Sequence, residues 1–279
     1  MRHIFLPIVA SILVTSIMPG ASAQQLPERI QKAGKVIVAN QPIYPPMEFK
    51  DPKTNQFTGF DVDLANALAK QLGIVVEWSE TSFEQMTNSL KSGRVDIIQS
   101  AMSDLPSRRE AFDFLDYVKS GPQFFTLFER RNEFQSMDDL CGKKLGMSRV
   151  TSFPAETARW SKVNCEEKGK PAITILGTEG SADARNQLRQ HRVDAAVQGV
   201  ETLPYLMKQE PDTYFLIGPP FATVYQGIAF DKAHTQLRDA YATALKTLID
   251  SGTYKSILEK WDLGSNALDG VYINGEPVK

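Results

Sequence analysis

Short apolar runs alternate with amphipathic stretches from residue 35 onward. Lys35-Val36-Ile37-Val38-Ala39 is rich in β-branched residues, the pattern of a buried strand. Phe60, Leu64, Leu68 and Leu72 recur at every fourth position, which puts them on one stripe of a helix over 61–72, closed by Gly73. Ile74 to Trp78 predicts a second strand. Ser82-x-x-Gln85 predicts a capping box that opens a helix running to Lys91, with Gly93 as its stop. Val95 to Gln99 gives a third strand. The order βαβαβ predicts a parallel, doubly wound α/β sheet, because crossovers between parallel strands are right-handed.

The alternation restarts near residue 122. Strands are expected at Lys144–Met147, Ile173–Leu176, Val193–Val197 and Tyr214–Ile217, with helices from about Pro154, over Ser181–Gln190 and over Glu201–Lys208. Gln226–Phe230 then predicts one more strand, and Leu237–Ser251 and Tyr254–Trp261 two helices parted by Gly252. Two segments echo each other: Leu90-Lys91-Ser92-Gly93-Arg94-Val95-Asp96 and Leu188-Arg189-Gln190-His191-Arg192-Val193-Asp194. They lie about 100 residues apart, one α/β domain rather than one solenoid repeat. Helix-to-strand turns of any α/β protein resemble one another, so the echo alone leaves the second lobe open. With the restarted alternation it predicts a discontinuous first lobe of residues 24–121 and 220–279 and a second lobe of 122–219. Crossovers fall near Ser120–Gln123 and Gly218–Thr223. Two parallel linkers make a hinge, and the crevice between lobes is where a small ligand is expected.

Arg2 and His3 precede an apolar run over Ile4–Met18, then Ala21-Ser22-Ala23, the small-x-small pattern of a signal-peptidase site. Cleavage after Ala23 and export to the periplasm are expected, with no cysteine near the site to carry a lipid. Cys141 and Cys165, the two cysteines, can pair in an oxidising compartment; two separate buried thiols are the alternative. The balance of 31 Lys and Arg against 33 Asp and Glu gives no basic surface for nucleic acid or anionic membrane.

Several stretches resemble the extracellular solute-binding proteins of polar amino-acid ABC importers, bacterial family 3. They are Tyr44-Pro45-Pro46-Met47, Gly59 to Ala65, Ser92 to Asp96, Ser103 to Arg108 with Phe112-Asp113-Phe114, and Gly252-Thr253-Tyr254 through Lys260-Trp261. They follow in order and at the right spacing over nearly the whole chain after residue 23. The resemblance implies a type II periplasmic binding fold, a ligand clamped between the lobes, and delivery to membrane permease subunits. It also implies that Ala101, Ser103 and Arg108 meet the ligand's carboxylate through a backbone amide, a hydroxyl and a guanidinium. By pattern alone Arg108 reads as a solvated arginine. A planar guanidinium, however, can bond both carboxylate oxygens and stays charged when dehydrated. Tyr44 and Phe83 match aromatic positions that sandwich the ligand's side chain; by pattern alone Phe83 reads as core. Thr151 and Ser152 precede Pro154 at a helix start, which attracts anions; they resemble the family's Gly-Ser/Thr-Thr turn, with Val150 where the glycine usually stands, and an ordinary N-cap is compatible with that role.

Departures from the family pattern bear on the ligand. Gly199 stands where relatives that take free amino acids carry an aspartate for the ligand's ammonium, so either Glu201 substitutes or the ligand's amine is absent, substituted or held differently. Gln41 occupies a place often acidic in binders of cationic amino acids, which argues against lysine or arginine. Arg149 is a further candidate for the cleft, a solvated arginine being the commoner reading. A monomer without metal or cofactor is expected. One alternative is an enzyme of the cyclohexadienyl dehydratase type. Against it, His191 and His234 stand in polar contexts with no metal-ligand spacing, and the sequence has no nucleophile elbow. A ligand-presenting protein for a chemoreceptor or sensor is the other.

Overall fold

The computed structural model describes residues 26–278. The signal segment expected over residues 1–23 lies outside the described residues. The first lobe runs through α1 (Glu28–Ala33), β1 (Lys35–Asn40), β2 (Ile43–Tyr44), β3 (Glu48–Lys50), β4 (Phe57–Thr58), α2 (Phe60–Gln71), β5 (Val75–Glu80), α3 (Phe83–Lys91), β6 (Ile97–Ile98), α4 (Pro106–Arg109) and β7 (Phe112–Ser120). The second contains β8 (Pro122–Leu127), β9 (Lys144–Ser148), α5 (Phe153–Asn164), β10 (Thr174–Thr178), α6 (Ser181–Arg189), β11 (Ala195–Gly199), α7 (Leu203–Gln209) and β12 (Tyr214–Ile217). The chain returns through β13 (Val224–Asp231), α8 (Thr235–Asp250), α9 (Thr253–Lys260), β14 (Tyr272–Ile273) and β15 (Glu276–Pro277).

Each lobe has its own sheet, in strand order β15-β14-β7-β13-β6-β1-β5 and β10-β9-β11-β8-β12. The parallel part is as the alternation predicts: β1 between β5 and β6, and β9 between β10 and β11. The sheets are nevertheless mixed rather than parallel throughout. β7 and β13, which carry the chain towards and back from the second lobe, pair antiparallel, as does β8 with β11 and β12. The apolar stripe of α2 packs as its spacing requires: Phe60, Leu64 and Leu68 are fully buried in the first core with Val36, Val38, Tyr241 and Leu245.

The echoed turns do the same job in both lobes. Asp96 accepts the Ile37 amide at 2.8 Å and pairs with Arg29; Asp194 accepts the Lys144 amide at 2.9 Å and pairs with Arg130 at 3.1 Å. Each carboxylate pins its turn to the neighbouring parallel strand and is structural. Cys141 and Cys165 are joined in a disulfide with Cα atoms 5.5 Å apart.

Two local expectations are corrected. Ser82 makes no side-chain cap; the Gln41 side chain, just past the end of β1, reaches across and its Oε1 accepts the Phe83 amide at 3.0 Å instead. The helix expected from Glu201 begins at Leu203, because the Glu201 side chain turns inward to polar partners and is 1% exposed.

Candidate ligand-binding site

A cavity of about 330 Å³ lies between the lobes. Gln41, Tyr44, Phe83, Ala101, Ser103, Arg108 and Thr151 line it; Ser152 and Glu201 do not. The first-lobe wall is built where β1, β6 and α3 deliver their carboxyl or amino ends, the expected place for a ligand on an open parallel sheet.

Arg108 is the cationic feature of this wall. Its Nη1 donates to the Ser103 carbonyl at 2.8 Å, its guanidinium lies 5.5 Å from the centre of the Phe83 ring, and burial lowers its pKa. Among the described residues it has no ion-pair partner. The neighbouring arginine is the opposite case. Arg109 grips the buried Asp104 with two bonds, at 2.5 and 2.8 Å, so it is a structural clamp. A half-buried guanidinium over an aromatic face, with remaining donors aimed at a cleft, is suited to a planar carboxylate.

Ala101 holds a left-handed backbone conformation at φ +46°, and its amide donates to Asp61 Oδ2 at 2.8 Å. The amide that the resemblance assigns to a ligand is therefore already engaged. Thr151 is tied into the turn before α5, donating to the Ser148 carbonyl at 2.9 Å and accepting the Phe153 amide at 3.3 Å. Ser152 is buried, and its hydroxyl has no hydrogen-bond partner among the described residues.

Sequence reasoning missed the acids. Glu48, Glu179 and Asp183 line the cavity. Glu48 directly follows the Tyr-Pro-Pro-Met stretch; it is 2% exposed, accepts the Ser100 hydroxyl at 2.9 Å and hydrogen-bonds Asp61. Burial, and then the Asp61 charge, push Glu48 well above the carboxylate range, while burial lifts Asp61 to about 7. Two carboxyls this close and this dry hold a proton between them. Glu179 pairs with Arg149, with one contact at 2.7 Å, and Arg149 also lies 3.5 Å from Glu84 of the first lobe. Arg149 thus sits at the rim, half-exposed and neutralised, rather than in the cavity.

Glu201 and Gly199 form one unit. A Cβ at position 199 would lie 2.2 Å from Glu201 Oε1, so the glutamate carboxylate fills the space a side chain at 199 would take. That carboxylate accepts from the Tyr44 hydroxyl at 3.0 Å, from Gln226 Nε2 at 2.9 Å and from the Ser120 hydroxyl. All three donors are neutral. Among the described residues no group of His, Cys, Asp and Glu side chains could hold a metal ion.

Comparison with known proteins gives a consistent picture. The model of bacterial extracellular solute-binding proteins, family 3, matches residues 36–265. The arginine-binding protein ArgT of Corynebacterium glutamicum is 29% identical over 253 residues, 91% of this chain and 82% of that protein. The L-cystine-binding protein TcyJ of Escherichia coli K12 is 26% identical over 262 residues, 93% of this chain and 95% of that protein. A solved structure of the ancestral amino acid-binding protein AncCDT-1, a precursor of cyclohexadienyl dehydratase, matches with a TM-score of 0.73 at 29% identity. The match covers 84% of this chain and 97% of that one.

Proposed function

Because this chain belongs to the bacterial extracellular solute-binding proteins of family 3, we propose that its cleft captures an amino acid or amino-acid-like small carboxylate and that Arg108 holds the carboxylate. The protein is the substrate-binding component of an ABC importer, with the type II periplasmic fold. Arg108 carries the reading: a guanidinium in the cleft wall, with no ion-pair partner among the described residues, leaves a positive charge for a ligand to neutralise. Phe83 and Tyr44 supply flat faces for the rest of the molecule, Ser103 and Gln41 polar contacts, and Thr151 the second-lobe side. Glu201 and Ser152 act from behind the wall.

The lobes are residues 24–121 with 220–279, and 122–219. Supporting this division, a Cβ at Gly121 would lie 2.1 Å from the Ala222 carbonyl oxygen, so the two crossing segments touch through backbone. In the cell the mature chain starts after Ala23, works as a monomer, and hands its cargo to the permease subunits. It binds without turnover, so prephenate and arogenate are recovered unchanged.

The test is a thermal-shift panel of the proteinogenic amino acids, L-cystine, N-substituted amino acids and their 2-hydroxy analogues, with mass spectrometry of whatever small molecule co-purifies. A compound at a hundred times its dissociation constant adds about 2.7 kcal/mol, a shift of several degrees. A panel in which no carboxylate moves the midpoint, with nothing co-purifying, contradicts the proposal.

A further inference from the structure

Tyr44 does two things at once. Its ring lines the cleft from the first lobe, and its hydroxyl reaches the second, donating to Glu201 Oε1 at 3.0 Å and accepting the Gly199 amide at 3.2 Å. Glu201 in turn accepts from Ser120, the last residue of β7, and from Gln226 on β13, the two strands that lead into the crossings between lobes. Cleft wall, second lobe and hinge strands therefore meet on one buried carboxylate. Gly199 is what lets the carboxylate sit there, since a Cβ would meet all three of its carboxyl atoms at 2.2 to 2.6 Å.

We propose that Tyr44 and Glu201 are the clasp that couples ligand occupancy to lobe closure, making both of them positioning residues. A molecule packed on the Tyr44 ring fixes the direction of its hydroxyl, and that hydroxyl completes the Glu201 shell only when the second lobe has swung in. When the lobes part, Glu201 exchanges the hydrogen bond from Tyr44 for one from water, so the contact favours closure by the difference between a pre-aligned bond in a dry site and its hydrated replacement. Three neutral protein donors hold the carboxylate. The clasp thus needs no charged amine from the ligand, and 2-hydroxy or N-substituted carboxylates close the lobes as free amino acids do. This inference rests on the cleft being the ligand site.

Three variants test it from both sides of the cleft. Tyr44→Phe keeps the ring and removes the hydroxyl. Gly199→Ala displaces the carboxylate from the second lobe, and Glu201→Gln keeps its volume while replacing one acceptor oxygen with a donor. The probe is the compound of the thermal-shift panel, beginning with L-arginine and L-cystine, that raises the wild-type midpoint most. Small-angle scattering reads the ligand-dependent drop in radius of gyration, and stopped-flow reads the dissociation rate. Wild type should compact on binding; Tyr44→Phe and Gly199→Ala should lose most of that compaction and release the probe at least tenfold faster, with ligand-free melting midpoints close to wild type. Should one variant fail to fold, another reaches the same carboxylate from elsewhere. Variants that compact fully and release the probe at the wild-type rate overturn the clasp alone. A wild type that binds no panel compound overturns the reading of the cleft, and the clasp with it.

Discussion

Buried carboxyls are the least expected feature at the level of single residues. Asp61 is lifted to about 7 by burial and Asp116 to about 8 by burial and then by Asp104, against 3.8 for the free side chain. Between about pH 4 and pH 8 the folded protein keeps protons that the unfolded chain has lost. The stability these groups contribute is therefore complete below the unfolded value and disappears as pH rises through 7 to 8. Carboxyls held below their ordinary values, such as Asp138 beside Lys170, act at lower pH, outside this window. Scanning calorimetry from about pH 5.5 to 8.5 should show the midpoint falling; a rising midpoint contradicts the assignment. Arg109→Ala leaves the buried Asp104 without its partner and should cost about 1–3 kcal/mol of stability, read as a lower midpoint at unchanged ligand affinity. A loss of affinity at unchanged stability would place Arg109 in the site instead. At Gly199 an aspartate cannot simply restore a family pattern. Gly199→Asp sets a second carboxylate against Glu201 in the same space, so it should weaken binding of every panel compound rather than switch preference towards free amines.

Elements differed in how far the sequence disclosed them. Helices with an apolar residue at every fourth position, α2 above all, were legible, because one stripe faces one core. The duplicated Arg-Val-Asp turns were legible because each aspartate answers to the next parallel strand in its own lobe. β7 and β8 were not read as strands: every residue of β8, and all but Lys119 of β7, is buried, so the alternation that marks a half-exposed strand is missing. The cap on α3 comes from Gln41, 42 positions away, and the partner of Glu201 from Tyr44, 157 away, distances at which local pattern carries no information. Most of the cleft wall was readable from the resemblance, whereas its acids and the Glu201 shell depend on packing. The Cys141–Cys165 bridge joins the end of the short 3-10 turn Met137–Leu140 to the end of α5 within the second lobe. Free-thiol counting on the unreduced, denatured protein should find none, and replacing both cysteines with serine should cost about 3 kcal/mol. Two reactive thiols would refute the bridge.

At the scale of the molecule, two sheets of related build face each other across a cavity of about 330 Å³. One wall offers a guanidinium over an aromatic ring, the other a helix start and the acids Glu179 and Asp183. On the proposed reading of the cleft, closure brings the walls together around one small molecule whose carboxylate Arg108 holds. If that anion loses its partner inside a closed cleft, the cost is about 2–5 kcal/mol, or roughly thirtyfold and upward in affinity. The most direct measurement is calorimetric titration of wild type and Arg108→Ala with the panel compound that stabilises wild type best. One-to-one binding to wild type is expected, with a dissociation constant roughly thirtyfold or more higher in Arg108→Ala at similar stability; an unchanged constant would contradict the role of Arg108.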